Sequence, residues 1–173
     1  TAAARAAGAV TVALVNATDS PLAETSDIVL PMEAGPELSV AATKTFIASA
    51  SALLRLLALW SEDRTIAAAL ARLPDRLGTA ADLDWSEALT GFEAATSLVT
   101  IGRGPTLAIA REASLKLKET CNLHAEAFSG AEFLHGPVAL VDDDYPILMF
   151  VPTDAAQAGL LGLSSSLRKK GAS

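Results

Sequence analysis

Residues 97–119, SLVTIGRGPTLAIAREASLKLKE, constrain the fold more than any other stretch. A short apolar run over residues 98–101 turns sharply at Gly102-Arg103-Gly104 and passes straight into a long helical pattern that opens at Pro105. A near-continuous apolar strand is the kind buried on both faces of a parallel sheet. Pro105 suits the first helical position, where its missing N–H costs nothing. The same rhythm opens the chain. Residues 1–7 read as the end of a helix stopped by Gly8, residues 10–16 as a strand, Asp19-Ser20-Pro21 as a helix start, and residues 28–31 as a second strand. Alternating strands and helices of this kind predict an α/β fold, a doubly wound parallel sheet with helices on both faces.

Between these two regions the sequence is helical. Phe46, Leu53, Leu54 and Leu57 recur at helical spacing within residues 39–60. Ser61 before Glu62 and Asp63 restarts a helix, and Asp84 with Glu87 predicts a capping-box start for another. After the helix from Pro105, residues 120–137 read as irregular, residues 138–141 and 147–151 as strands, and residues 154–170 as a helix. The organisation expected is therefore an α/β unit over residues 1–61, a helical connector over 62–96, and a second α/β unit over 97–173. Both ends look cut, the first inside a helix and the last where a further strand is expected.

Composition excludes several classes of function. The formal charge is -7 and the 13 basic residues are scattered, so no nucleic-acid partner is expected. Arg168-Lys169-Lys170 fits the carbonyl end of a helix dipole. The single cysteine, Cys121, can form neither an intramolecular disulfide nor a CxxC site, and no His/Cys/Asp spacing matches a metal centre; no metal and no cofactor is expected, and a reducing cytoplasm is. Arg55 interrupts the most apolar run, residues 46–60, so no membrane span is expected.

Candidate chemistry concentrates after residue 102. Gly102-x-Gly104 has Leu107 in place of a third glycine, which argues for a tight turn at the carboxyl edge of a sheet and against a dinucleotide fingerprint. Glu112, Lys116 and Glu119, spaced four and three apart, fall within a stripe of about 60° on one helix face. Such a stripe is also what a solvated surface ion pair looks like. His124, Glu126, Glu132 and His135 follow in an otherwise small and apolar segment, and both histidines of the chain lie here. His124 reads as a histidine satisfied by a backbone carbonyl, whereas His135 stands in a loop fixed by Gly136-Pro137.

Taken together, Gly102-Arg103-Gly104-Pro105, Ala113-Ser114-Leu115-Lys116-Leu117-Lys118-Glu119, His124-Ala125-Glu126-Ala127 and His135-Gly136-Pro137 resemble the SIS (sugar isomerase) superfamily. The likeness is to the isomerase half of glucosamine-6-phosphate synthase and to stand-alone double-SIS deaminases. Residues 37–46, ELSVAATKTF, resemble the matching loop and helix of the first SIS domain. The resemblance implies two partial flavodoxin-like SIS domains in tandem, a homodimer, and a sugar-phosphate site at the carboxyl edges of the strands near the subunit interface. It implies Glu119 as the proton-shuttling base, Lys116 as its companion, and His135 as the ring-opening histidine supplied by a neighbouring subunit. Val40 and Glu37 would contact substrate. The family's phosphate-cradling loop and its C-terminal lysine would lie upstream of Thr1 and beyond Ser173, so these residues alone are expected to be inactive. Leu134, where a basic residue would precede the histidine, and the short connector look closer to the stand-alone proteins.

The chemistry suits these residue types. Interconverting an aldose and a ketose moves a proton between C1 and C2, which one carboxylate reaching both carbons can perform beside an ammonium that steadies the enediolate. The function implied is isomerisation of a hexose 6-phosphate with gain or loss of its amino group, between fructose 6-phosphate and glucosamine 6-phosphate. The rival implied by the same family is a non-catalytic sugar-phosphate-sensing module of a regulator, which has no need of Glu119 or Lys116.

Overall fold

The computed structural model describes residues 1–173. It divides into two compact units, Thr1–Leu83 and Asp84–Ser173.

In the first unit, α1 (Ala2–Ala6) leads to β1 (Val12–Val15), α2 (Pro21–Glu24) and β2 (Ile28–Pro31). The two strands are parallel, Val12 opposite Ile28 and Val15 opposite Pro31. Ser20 caps α2 by accepting the amide of Ala23, with Pro21 in its first turn. Ala13, Val15 and Ala23 form a small core with Val29 packed against it. Asp27 fixes the approach to β1. Its carboxylate accepts from Thr11 N and Thr11 Oγ1 at 2.9 and 2.8 Å and pairs with Arg5 at 2.8 Å. Those hydrogen bonds from Thr11, followed by the Arg5 charge, hold the Asp27 carboxyl below its ordinary pKa.

The long helix α3 spans Lys44–Trp60 and starts five residues later than its apolar periodicity predicts. The reason is a carboxylate. Glu37 accepts from Thr43 N and Lys44 N at 2.8 Å each, from Thr45 N at 3.2 Å and from Thr45 Oγ1, so residues 38–43 form a loop closed by the helix N-terminus. Thr43 at the N-cap position makes no side-chain cap of its own. Helix α4 (Arg64–Ala71) is capped by Asp63, which accepts from Thr65 N and Ile66 N, and not by Ser61. Ser61 closes α3 instead, its hydroxyl donating to Leu57 O. Helix α5 covers Leu73–Ala81.

The second unit opens with α6 (Ser86–Leu89), where Asp84 accepts from Ser86 N without forming the expected capping box. Its sheet consists of β3 (Ser97–Gly102), β4 (His124–Ser129) and β5 (Ile147–Met149), all parallel and in the order β4-β3-β5. Helix α7 (Pro105–Cys121) joins β3 to β4. The chain then crosses to the far side of β3 through α8 (Gly130–Leu134) and a 3-10 turn at Pro137–Leu140, and α9 (Gln157–Lys169) follows β5. Successive residues of β3 face opposite ways. Val99 and Ile101 pack on Phe133, Leu160, Leu163 and Leu167 of α8 and α9. Thr100 meets α7, donating from Oγ1 to Ala110 O at 2.8 Å. Helices therefore cover both faces, and each fully buried apolar side chain of this core contributes roughly 1.5–3 kcal/mol.

Two sequence expectations fail here. Residues 120–137, read as irregular, contain β4 and α8, and α8 begins with a capping box in which Ser129 Oγ accepts Glu132 N and Glu132 accepts Ser129 N. Residues 138–141, read as a strand, belong to the 3-10 turn. Both sides of β3 are already occupied by β4 and β5, so this apolar run has no ladder beside β3, and Val138 and Val141 pack against the core from a turn.

Candidate functional site

Seventeen residues of α7 place the three charged side chains. At 100° per residue, Glu112, Lys116 and Glu119 share one face, and the contacts follow. Lys116 Nζ lies 2.6 Å from Glu119 Oε2 and 3.4 Å from Glu112 Oε1. The side chains of Glu112, Lys116 and Glu119 are 20, 19 and 27 % exposed, so the cluster is partly sheltered and still open at its tip. The hydrogen bond that Lys116 donates to Glu119 raises the Lys116 pKa, desolvation opposes the rise, and the Glu112 charge adds to it. Lys116 therefore stays an ammonium at neutral pH. Its chemistry is to donate hydrogen bonds and positive charge to a developing oxyanion, not to act as a free amine.

The helix also decides where this cluster sits. It leaves the carboxyl end of β3 and runs back against the strands, so Glu119, about 21 Å along the axis from Pro105, lies toward the amino end of β4. Asn122, in the left-handed region at φ 54°, ends the helix, and Leu123 N donates to Leu117 O before β4 begins. Within this unit, then, Lys116 and Glu119 do not lie at the carboxyl edge of the strands, contrary to the expectation carried by the resemblance. What lies there is the Gly102-Arg103-Gly104 turn and a cleft of about 760 Å³ bordered by Arg103, Gly104, Gly130, Asp154 and Gly159.

His135 is the C-cap of α8 and is exposed. Phe133 of α8 packs on the Val99/Ile101 face of the sheet, whereas α7 covers the Thr100 face, so the helix that His135 ends and the helix carrying the Lys116–Glu119 pair lie on opposite faces of the sheet. His124 opens β4, its amide donating to Thr96 O, and is exposed, as is Glu126. Glu132 is engaged in capping α8, and its hydrogen bonds with Ser129, the largest cause, lower its pKa.

The two candidates of the first unit differ from one another. The Glu37 carboxylate is committed to the N-terminus of α3, and the Thr45 hydroxyl followed by the Thr43 amide pulls its pKa down to about 2. That makes it the anchor of the 38–43 loop, with its oxygens already used. Val40 stands on the same loop and is 97 % exposed, with Leu38 at 95 %. Glu112, which the sequence places on the same face four residues before Lys116, indeed reaches Lys116, at 3.4 Å. No group of three or more His, Cys, Asp or Glu side chains converges to hold a metal ion, and no helix is long and apolar enough to cross a membrane.

Comparison with known proteins finds a family match over the second half of the chain and relatives over most of it. The SIS domain family matches residues 92–173. Glutamine-fructose-6-phosphate aminotransferase from Caulobacter vibrioides is 37% identical over 162 residues, covering 87% of this chain and 27% of that protein. The Aquifex aeolicus enzyme of the same name is 36% identical over 170 residues, 95% of this chain and 28% of the relative. The chain thus spans little more than a quarter of the length of these relatives. Among solved structures, a candidate phosphosugar isomerase from Silicibacter pomeroyi DSS-3 superposes with a TM-score of 0.93 at 50% identity, over 98% of this chain and 52% of that one. The C-terminal domain of glucosamine-fructose-6-phosphate aminotransferase from Francisella tularensis superposes with a TM-score of 0.74 at 30% identity, over 93% of this chain and 49% of that one. Residues 92–173 are accordingly a SIS domain, and the chain is homologous over nearly its whole length to the isomerase half of glutamine-fructose-6-phosphate aminotransferase.

Proposed function

We propose that this chain belongs to a cytoplasmic sugar-phosphate isomerase of amino-sugar metabolism, one that interconverts the ketose and aldose forms of a hexose 6-phosphate with gain or loss of the amino group. The observation that carries this reading is the Lys116–Glu119 pair, an ammonium and a carboxylate 2.6 Å apart on a partly sheltered helix face. In this reading Glu119 removes a proton from one of the two carbons C1 and C2 and returns it to the other, while a hydroxyl proton passes between O1 and O2 as the carbonyl moves. Lys116, held cationic, hydrogen-bonds the oxygen on which negative charge accumulates. When the amino group is gained, ammonia adds to the ketose carbonyl and water leaves before the same proton transfer.

The relatives support the substrate class, since the aminotransferase of Caulobacter is named for fructose 6-phosphate. The protein is a homodimer in this proposal, with two SIS domains per chain joined by a helical connector. His135 acts in the site of the neighbouring copy, a reading supported by α8 and α7 lying on opposite faces of the sheet. Val40, on its exposed loop, contacts the substrate.

The test is an assay of the intact protein with fructose 6-phosphate plus ammonia and, separately, with glucosamine 6-phosphate. Turnover in either direction that Glu119→Gln lowers by roughly 10²-fold or more is the expected result. Absence of turnover with both substrates, or wild-type rates in Glu119→Gln, rejects it.

A further inference from the structure

The face of α7 opposite the charged cluster is where the helix meets the sheet, and it is made of small residues. Thr106, Ala110 and Ser114 follow one another at four-residue intervals, about 150° round the helix from the mean direction of Glu112, Lys116 and Glu119. Each makes a close contact with the sheet side. A Cβ on Gly102 would fall on the carbonyl of Thr106, so the first turn of α7 rests directly on the end of β3. Thr100, 0 % exposed, donates from its hydroxyl to Ala110 O at 2.8 Å. Ser114, 3 % exposed, donates from its hydroxyl to Ala125 O of β4 at 2.6 Å.

Only three polar side chains in the whole chain are buried, Thr11, Thr100 and Ser114, and two of them are spent on this one helix–sheet contact. Small apolar side chains such as Ala110 and Ala125 bring backbones close without interlocking, and leave rotation and sliding weakly specified. Hydrogen bonds are directional and specify both. The bonds reach α7 from two different strands and grip it one turn apart, so together they fix its angle about its axis and its height along the sheet.

We propose that Thr100 and Ser114 are positioning residues for the isomerase site, two buried hydroxyl clamps that set the rotation and axial height of α7 and thereby aim Lys116 and Glu119. The proposal rests on the assignment of Glu119 as the base. Proton transfer between neighbouring carbons is sensitive to a displacement of about 1 Å, which costs roughly 10²-fold in rate. A rotation of α7 by 10–20° would move a long side chain on its outer face by about that much.

The experiment uses the intact protein and the variants Thr100→Val, Ser114→Ala and their combination, with Thr100→Ser as the conservative control. Each is checked for a melting transition well above the assay temperature before kinetics are read. The expected result is a fall in kcat of roughly tenfold or more in the double variant with KM for the sugar phosphate changed less than twofold, smaller falls in each single variant, and Thr100→Ser within twofold of wild type. The split matters because a merely structural role would lower kcat only by the unfolded fraction. A folded double variant with kcat within twofold of wild type overturns the proposal, as does a loss that tracks the unfolded fraction. If the double variant fails to fold, the single variants decide by the same criterion. Glu119→Gln, assayed alongside, separates the two claims: wild-type turnover in that variant removes the base assignment, whereas its inactivity beside normal Thr100→Val and Ser114→Ala rates removes only the clamps.

Discussion

Lys116 Nζ lies between two carboxylates of its own helix, 2.6 Å from Glu119 and 3.4 Å from Glu112, and the nearer one is the candidate base. The pair sets the sign of its own pH dependence. Because the Lys116 pKa is raised in the folded protein, the stability it contributes is fully present below the ordinary lysine pKa of about 10.4 and is lost as pH rises through the folded value. Lys116→Met should therefore lower the melting temperature by a constant amount from pH 6 to 9, with the gap to wild type closing only above about pH 10.5. Thermal melts across that range check it, and a gap that closes near neutrality contradicts the raised pKa.

Glu37 titrates in the opposite direction. Its carboxyl is pulled down to about 2 by the Thr45 hydroxyl and the amides of Thr43, Lys44 and Thr45, so the stability it contributes is present above its unfolded value, about 4.3, and disappears as pH falls toward 2. Glu37→Ala should melt several degrees below wild type at pH 7, and the two melting curves should converge between about pH 4.3 and 2. Equal melting temperatures at pH 7 would mean that the 38–43 loop does not depend on this carboxylate.

The features legible in the sequence were those settled by local geometry. The apolar run of β3 is continuous because α7 covers one face of that strand and α8 and α9 the other, and the stripe of Glu112, Lys116 and Glu119 is a consequence of helical spacing alone. What was not legible depends on partners distant in sequence. His124–Ser129 carries small and charged residues, HAEAFS, and becomes a strand because β3 pairs with it. Residues 138–141 are apolar enough for a strand and lack a place beside β3. Glu37 precedes the N-cap residue Thr43 by six positions, outside the reach of any capping rule written on adjacent residues, so its role as an anchor emerges only when the loop closes. The relation of His135 to Glu119 likewise depends on which face of the sheet each helix covers.

Two glycines of the second unit should respond differently to alanine. The methyl of Gly102→Ala meets main-chain atoms of Thr106 and Leu107, which cannot yield without lifting α7 from β3, whereas that of Gly130→Ala lies 2.8 Å from Leu160 Cδ2, the mobile end of a side chain. Gly102→Ala should cost about 1–3 kcal/mol or more and reduce turnover together with stability, since the same displacement moves Glu119. Gly130→Ala should cost less and leave kcat within a few-fold. Denaturant unfolding with parallel kinetics distinguishes them, and equal costs would show that α7 can shift at its first turn without strain.

His135 provides the sharpest test of how the site is completed. It is exposed at the end of α8, so His135→Asn should leave the melting temperature within about 1 °C of wild type. Turnover of a cyclic hexose phosphate should nonetheless fall by roughly 10²-fold or more if the imidazole opens the ring. Since α8 and α7 cover opposite faces of the sheet, the proposed homodimer would bring His135 of one copy to Glu119 of the other. Mixing His135→Asn with Glu119→Gln under conditions of subunit exchange then produces mixed dimers in which one site of two has both residues intact. Random pairing restores about a quarter of wild-type activity from two inactive parents. Recovery near that level requires the histidine to act in trans. No recovery, with mixed dimers demonstrated by mass, would place it in the site of its own chain and reject its action in trans.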